Sequence, residues 1–415
     1  MIVKNYLLCK TLIANFVFSL LVCISVVTPA VANQIGGLMQ IYLADADSWQ
    51  SYQHQGTGIL RHDESKLGIQ QALLHTNLDI TSSVSVDAVA NYYADGEQHF
   101  GFSQAFLNYK PLSPEKIKFK GRAGFFYPRL SLENVDAGWL SPYTYTQSAI
   151  NSWVGEEMRT LGLELSFYSP GRARRSPWTW EIVAATFKGN DPLGTLISWR
   201  GFAMHDRQSL NNDRVNFAAY PTVIDTDFIF HPDYVEPFHE LDRRWGFYTG
   251  LHLSYFNQSS FRYYYYDNQA DPLAVNSQRL YGWRTKFHSF SMQHKLDANT
   301  RLISQIMTGS TVMGVKYVYV DFDAWYLMLS HTVSQHRISL RYDRFIVSED
   351  DVFPTDMNNS DGYGLTLAWR YDIDENWQLG IEQHFNKNTA QNRAQLDLSI
   401  DANQQQTLLV AQFRW

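Results

Sequence analysis

Polar and apolar side chains alternate along most of this chain, in runs short enough to be strands and separated by turn residues. Between residues 80 and 92, Val84, Val86, Ala88, Ala90 and Tyr92 fall on one face and Ser83, Ser85, Asp87 and Asn91 on the other. The same period of two puts Phe100, Phe102 and Phe106 in register, and sets Leu161, Leu163, Leu165 and Phe167 against Thr160, Gly162, Glu164 and Ser166. Later, Trp245, Phe247, Leu251, Leu253 and Tyr255 oppose Arg244, Tyr248, His252 and Ser254. Tyr281, Trp283, Thr285 and Phe287 oppose Arg284, Lys286 and His288, and Ile338, Leu340 and Tyr342 oppose Arg337, Ser339, Arg341 and Asp343. The chain closes on Leu409, Ala411, Phe413 and Trp415 in phase. Strands of this kind lie between two different solvents.

Short turns fall near residues 76, 112, 172, 258, 297, 333 and 374, with connections of varied and often greater length between them. Turns of this number on one side join hairpins into about sixteen strands. Reading residues 195–204 and 396–400 as strands gives an alternative of about eighteen. Residues 308–314 read as a loop. The expected fold class is all-β, a transmembrane antiparallel β-barrel, because closure leaves no unpaired strand edge in lipid. Composition agrees: aromatic residues make up 15% of the chain while mean hydropathy is only −0.30. A membrane barrel combines the two because every second side chain meets water and both interfaces carry aromatic girdles. Beyond residue 32 no run approaches the roughly eighteen apolar residues of a spanning helix.

At the N-terminus Lys4 and Lys10 precede an apolar run over residues 11–27, followed by Pro29, Ala30, Val31 and Ala32. This predicts a signal peptide, residues 1–32, cut after Ala32, and a single barrel domain over residues 33–415. Cys9 and Cys23 would leave with it, so no disulfide framework, thiol nucleophile or cysteine–zinc site is expected. Loss of the two lysines takes the net charge from −7 to −9, a balance that argues against nucleic-acid binding. The expected location is the outer membrane of a Gram-negative bacterium. Outer-membrane lipids and lipopolysaccharide would be partners there, as would the barrel insertion machinery, through the terminal strand ending at Trp415.

Two segments interrupt the alternation. Residues 128–157, with Pro128 and Pro142, are too long for a hairpin loop and lack helical periodicity. They are expected to fold into the barrel mouth as a constriction loop. Residues 189–242, punctuated by Pro192, Pro221, Pro232 and Pro237, read as a large outer loop.

If the apolar faces meet lipid, the opposite faces line a water-filled lumen. Lys118, Lys120 and Arg122 then form a short cationic ladder opposite Phe119, Phe125 and Tyr127, and a ladder of cations in a narrow channel favours anions. Arg284, Lys286, Arg337 and Arg341 fall on the same inferred face, with Glu164, Glu382 and Asp87 supplying opposite charge. In the constriction loop Arg129, Glu133, Asp136, Glu156 and Glu157 would either narrow the passage or pin the loop to the wall by salt bridges.

The stretch IKFKGRAGFFYPRLSLEN, from Ile117, resembles the part of the phosphate-selective porin O/P type in which a basic strand leads into the constriction loop. Continued through Trp153 to Thr160, it resembles uncharacterised porin-like outer-membrane proteins of Gram-negative bacteria. The resemblance covers residues 117–160 and implies a sixteen-stranded, trimeric, general or anion-preferring pore. This chain departs at Tyr127-Pro128-Arg129, where that type carries a second proline, and it lacks a dense arginine ladder. General passage of small hydrophilic or anionic solutes is therefore expected rather than phosphate specificity.

Two other readings stand beside the porin. One is a plugged structural or adhesion barrel, with residues 189–242 closing the opening. The other is an outer-membrane lipid hydrolase using His252 and Ser254, whose spacing matches the His-x-Ser pair of such enzymes. Here Leu251, Leu253 and Tyr255 take the outward face, so the pair is expected to point inward, away from lipid. No Walker loop, G-x-S-x-G, H-E-x-x-H or EF-hand loop is present, and no enzyme activity, cofactor or metal is expected. The acid pairs Asp45/Asp47 and Asp321/Asp323 are read as solvated outer-loop residues.

Overall fold

A computed structural model describes residues 34–225, 230–353 and 355–415. The predicted signal peptide lies outside the described residues. The first strands are β1 (Gln34–Asp47), β2 (Lys66–Asp79), β3 (Val84–Tyr92), β4 (Phe100–Tyr109), β5 (Lys118–Phe126), β6 (Thr160–Ser169) and β7 (Trp178–Lys188). After a long loop carrying the two-residue strands β8 (Val215–Asn216) and β9 (Tyr234–Val235) come β10 (Gly246–Tyr255), β11 (Ser259–Asp267), β12 (Arg284–Lys295) and β13 (Thr300–Met313). The chain ends with β14 (Val318–Val333), β15 (His336–Glu349), β16 (Ser360–Asp372), β17 (Trp377–Ala390) and β18 (Asp401–Arg414).

All but β8 and β9 close into one antiparallel barrel of sixteen strands, sealed by β1 against β18 from Leu38↔Arg414 to Asp47↔Gln405. The eighteen-stranded alternative is excluded: Thr195–Trp199 is helical and Gln391–Leu396 is a 3₁₀ turn. The segment expected as a loop after residue 307 is strand, because β13 runs on to Met313. Asp45, Asp47, Asp321 and Asp323 likewise lie within β1 and β14, not in loops, and are exposed at the long-loop rim. The turn expected at residue 76 falls at residues 80–83.

Exposed Leu161, Leu163, Leu165 and Phe167 on β6, Trp325, Leu327 and Leu329 on β14, and Leu365 and Leu367 on β16 belong to a continuous outward apolar belt. Trp369, Tyr371 and His336 stack at its short-turn edge, beside Trp377, Phe413 and Trp415. Such a belt with aromatic rims is a lipid-facing surface. In outer-membrane-type barrels short turns mark the periplasmic end and long loops the outer end.

Three inferred faces are corrected. Arg284 and Lys286 point outward, at the outer end of β12, while Phe287 points inward and is buried. Phe287 packs on Trp153 inside the barrel, so on this strand the apolar side chain is the lumenal one. Phe106 also faces inward: a bulge opposite Val89/Ala90 shifts the phase of β4 after Phe102, and Phe106 meets Phe126 and Arg122. Tyr127, past the end of β5, turns inward and stacks on Trp139 at 4.2 Å.

Candidate functional site in the barrel lumen

The β5–β6 connection, residues 127–159, enters the barrel and is almost wholly buried. Pro128 cannot extend β5. Farther on, Ser148 caps the helix α1 (Ala149–Glu157), its hydroxyl accepting from Asn151 N at 3.2 Å. The first part of the large loop, including the helix α2 (Thr195–Trp199), also folds inward and packs against α1.

Both segments rest on an apolar inner wall. Val183, Phe187, Tyr248, Tyr264, Tyr266, Phe287, Ile303, Met307, Phe322, Tyr326, Met328 and Phe345 on β7 and β10–β15 form one buried cluster with Trp153, Leu193, Ile197 and Phe202 of the loops. Each large apolar side chain buried in this way contributes about 1.5–3 kcal/mol. The opposite wall is polar: Gln40, Gln71, Asn91, Thr366, His384, Asn386, Gln404 and Gln406 are buried on β16–β18 and β1–β3.

Charged groups tie the inward loop down. Arg341 donates to Glu133 at 2.8 Å, to Asp343 at 2.7 Å and to the Thr146 and Gln147 carbonyls at 2.7 and 2.9 Å. Glu382 accepts from Tyr145 N and Thr146 N at 2.6 and 2.7 Å, and Arg370 donates to Thr144 O at 2.7 Å. Arg129 bridges Glu164 at 3.1 Å and Glu181 at 2.5 Å; Arg122 pairs with Glu164 at 2.8 Å and Lys120 with Glu181 at 3.0 Å. Asp136 meets Arg414 at 2.7 Å.

Glu156 meets Arg200 at 2.5 Å and His205 at 3.1 Å. Burial works against the Glu156 charge, but these partners outweigh it and hold the carboxyl down at about 2. Its neighbour Glu157 accepts from Trp153 Nε1 at 2.5 Å and Leu196 N at 2.9 Å, yet burial pushes this carboxyl up to about 7.

The inferred site residues thus divide. Lys120, Arg122, Arg129 and Glu164 share one cluster, Glu133 and Arg341 a second, and Glu156 and Glu157 a third. Lys118 and Arg337 face the lumen near the periplasmic end, Arg337 over the Tyr143 ring at 5.3 Å. Arg284 and Lys286 are not in the lumen. Sequence reasoning missed Glu181 and Arg370, although both stand in phase with their strands, in TWEIV and LAWRY. It also missed Arg200, whose partner comes from a distant loop and leaves no local signal.

His252 and Ser254 do face inward, and the structure does not assemble them for hydrolysis. His252 Nε2 is 2.8 Å from Tyr264 OH, and Ser254 Oγ is 3.4 Å from Ser260 Oγ. Among the described residues, Asp191, Glu240 and Asp242 are the one acidic group close enough to share a cation, with ligand atoms within 4.8 Å of one another. Their partners are already on hand: Leu241 N on Asp191 and Lys188 on Glu240.

Two adjoining cavities open at the periplasmic end. One, of about 370 Å³, is lined by Lys110, Lys120, Arg122, Arg129 and Glu164 among others. The other, of about 280 Å³, lies between β2–β4 and the loop at Asn134–Trp139, with Asp87 and Asp136 on its walls, and shares Phe106 with the first.

No family model and no curated protein matches this chain. Solved structures do match, over nearly its whole length. The outer membrane channel DcaP of Acinetobacter baumannii is 10% identical at a TM-score of 0.57, covering 94% of this chain and 99% of that one. The trimer form of OmpT, an outer membrane protein of Vibrio cholerae, is 10% identical at 0.53, covering 93% and 100%. An anion-selective porin from Comamonas acidovorans is 11% identical at 0.50, covering 93% and 100%. The closed barrel, its apolar belt and these likenesses together give the chain the fold of a sixteen-stranded, porin-type transmembrane β-barrel.

Proposed function

We propose that the chain is a porin for passive diffusion of small hydrophilic solutes, with the β5–β6 segment as its constriction. The observation that carries this is the entry of that segment into a closed barrel while polar side chains still line the opposite wall. Any anion preference is set at the periplasmic mouth. Glu164 and Glu181 match Lys120, Arg122 and Arg129 there, which leaves the preference modest. A homotrimer is part of this reading, by analogy with the trimer form of OmpT.

The apolar packing between loops and wall favours a second reading, a barrel plugged for a structural role. Planar-bilayer recording separates the two: the porin gives discrete conductance steps, and the plug gives none at any voltage. In a salt gradient, the triple substitution Lys118→Glu, Lys120→Glu and Arg122→Glu is expected to move the reversal potential toward cation preference. An unmoved potential removes the anion preference and leaves the porin standing.

A further inference from the structure

The geometry points to a route for solutes along the β1–β2 wall, away from the basic strand, with Leu38, Leu73, Val89 and Leu140 as its gate. This rests on the porin reading and names where that porin is permeable and to what.

Three cavities lie in file down this wall. The outermost, of about 60 Å³, sits between Tyr42, His62, Asp63 and Asp95 under the β1–β2 and β3–β4 loops. Next comes a narrow slot with room for little more than one water, lined by Gln40, Gln71, Gln147, Asp206, Arg370, Gln412 and Arg414. The last is the acidic periplasmic cavity at Asp87 and Asp136.

Each pair of neighbours shares a partition. Arg61 lines the outer cavity and Asp206 the slot, and the two are joined at 2.9 Å, with Asp95 on the other side of the same guanidinium at 2.7 Å. Leu140 lines the slot and Val89 the periplasmic cavity; with Leu38 and Leu73 they form a small buried apolar cluster of their own. An ion-pair partition thus lies above the slot and an apolar septum below it.

The slot is built for hydrogen bonding. Gln71 Nε2 donates to Gln40 Oε1 at 2.7 Å, and Gln40 Nε2 is 2.7 Å from Gln412. Gln147 is 1% exposed, and among the described residues neither end of its amide has a partner; Gln71 Oε1 and Arg370 Nε are unpaired there too. Buried polar atoms are rarely left so, and these converge on one space. The amides, with Asp206, Arg370 and Arg414 beside them, offer donors, acceptors and both signs of charge, and the four-residue apolar septum below them is a barrier that gates by dewetting. The class of solute that fits is small, hydrophilic and rich in hydrogen-bonding groups.

On the side of the basic strand, the Phe106–Phe126 contact and the Tyr127–Trp139 stack stand beside the vestibule.

Cysteine substitution tests this, since Cys9 and Cys23 are the only cysteines and both precede the described barrel. Gln71→Cys, Leu73→Cys and Ser166→Cys are each checked for the heat-modifiable gel migration of a folded barrel. They are then treated with a bulky methanethiosulfonate in planar bilayers, with the parent chain as control. Modification of Gln71→Cys and Leu73→Cys should cut conductance by about half or more. Block at Ser166→Cys with Leu73→Cys spared puts the route on the basic strand and overturns the proposal. In a second arm, Leu73→Ser with Leu140→Ser should raise conductance about twofold or more as the septum wets, and an unchanged value also overturns it. Absence of conductance from every variant and the parent removes the porin reading itself, which distinguishes that failure from a misplaced route.

Discussion

The two halves of the inner wall are made from the same alternating strands and perform opposite tasks. On β7 and β10–β15 the inward side chains are Phe, Tyr, Met, Ile and Val, and the loops are packed onto them like a second core. On β16–β18 and β1–β3 Gln, Asn, His and Thr stand among smaller apolar clusters, and several have an unpaired buried atom among the described residues, including Gln71, His384, Asn386, Gln404 and Gln406. The first wall grips the inward segments by apolar packing; the second ties them through Arg370, Glu382 and Arg414 and keeps part of its hydrogen-bonding capacity free.

The strongest way to break that division is to attack the anchored side. Trp153→Ala empties the centre of the apolar cluster and is expected to cost about 3–5 kcal/mol. Arg341→Ala leaves Glu133 and Asp343 buried without their partner, at a similar cost of about 3–5 kcal/mol. Thermal melting of the purified barrel in detergent should show both losses. On the polar wall, Gln406→Leu should stay within about 1 kcal/mol of the parent, and a loss as large as that of Trp153→Ala would erase the distinction.

A pH series sharpens it further. Glu157 is held protonated up to about 7 by burial, against a reference value of 4.5 for an exposed glutamate. Between these values the folded chain holds the extra proton, so stability contributed by this group falls as pH rises through the window. Above it the deficit levels off at about 3 kcal/mol. Glu156, held at about 2, acts in the other sense and only at lower pH, losing its contribution as pH falls from 4.5 toward 2. The difference in melting temperature between the parent and Glu157→Gln should therefore change between pH 5 and 8, with the variant gaining on the parent. A constant difference counts against the buried acid as the source.

The smallest expected effect belongs to Arg284→Ala with Lys286→Ala. Both side chains are on the outer surface, so reversal potential should not move. A shift toward cation preference would place them in the passage after all.

The barrel itself was legible from the chain, because a period of two with apolar faces survives through most strands and the short turns are marked by Pro, Gly, Asn and Asp. What was not legible was which apolar face meets lipid. On β12 the rule that greasy residues point outward failed because Phe287 faces a lumen as apolar as the bilayer. Alternation reports that two faces differ and carries no label for inside. On β4 a single bulged residue reversed the phase between Phe102 and Phe106, with Gly101 alone near it as a signal. Among the charged residues, strand positions such as Arg122, Glu164 and Arg341 were found by phase. Arg61, Arg200 and Asp206 were not, since their partners are brought together only by loops folded into the same interior.

The β1–β18 seam has a consequence for how the molecule is made. Gln40 and Gln412 touch across it although 372 positions separate them, and Arg414 reaches from it to Asp136 of the inward segment. The cylinder cannot be zipped shut until the last residues have been delivered, and its contents must already be in place when it is. Closure is therefore the committing event of biogenesis, a late, long-range step that seals the cargo of loops and the wall around them in one act.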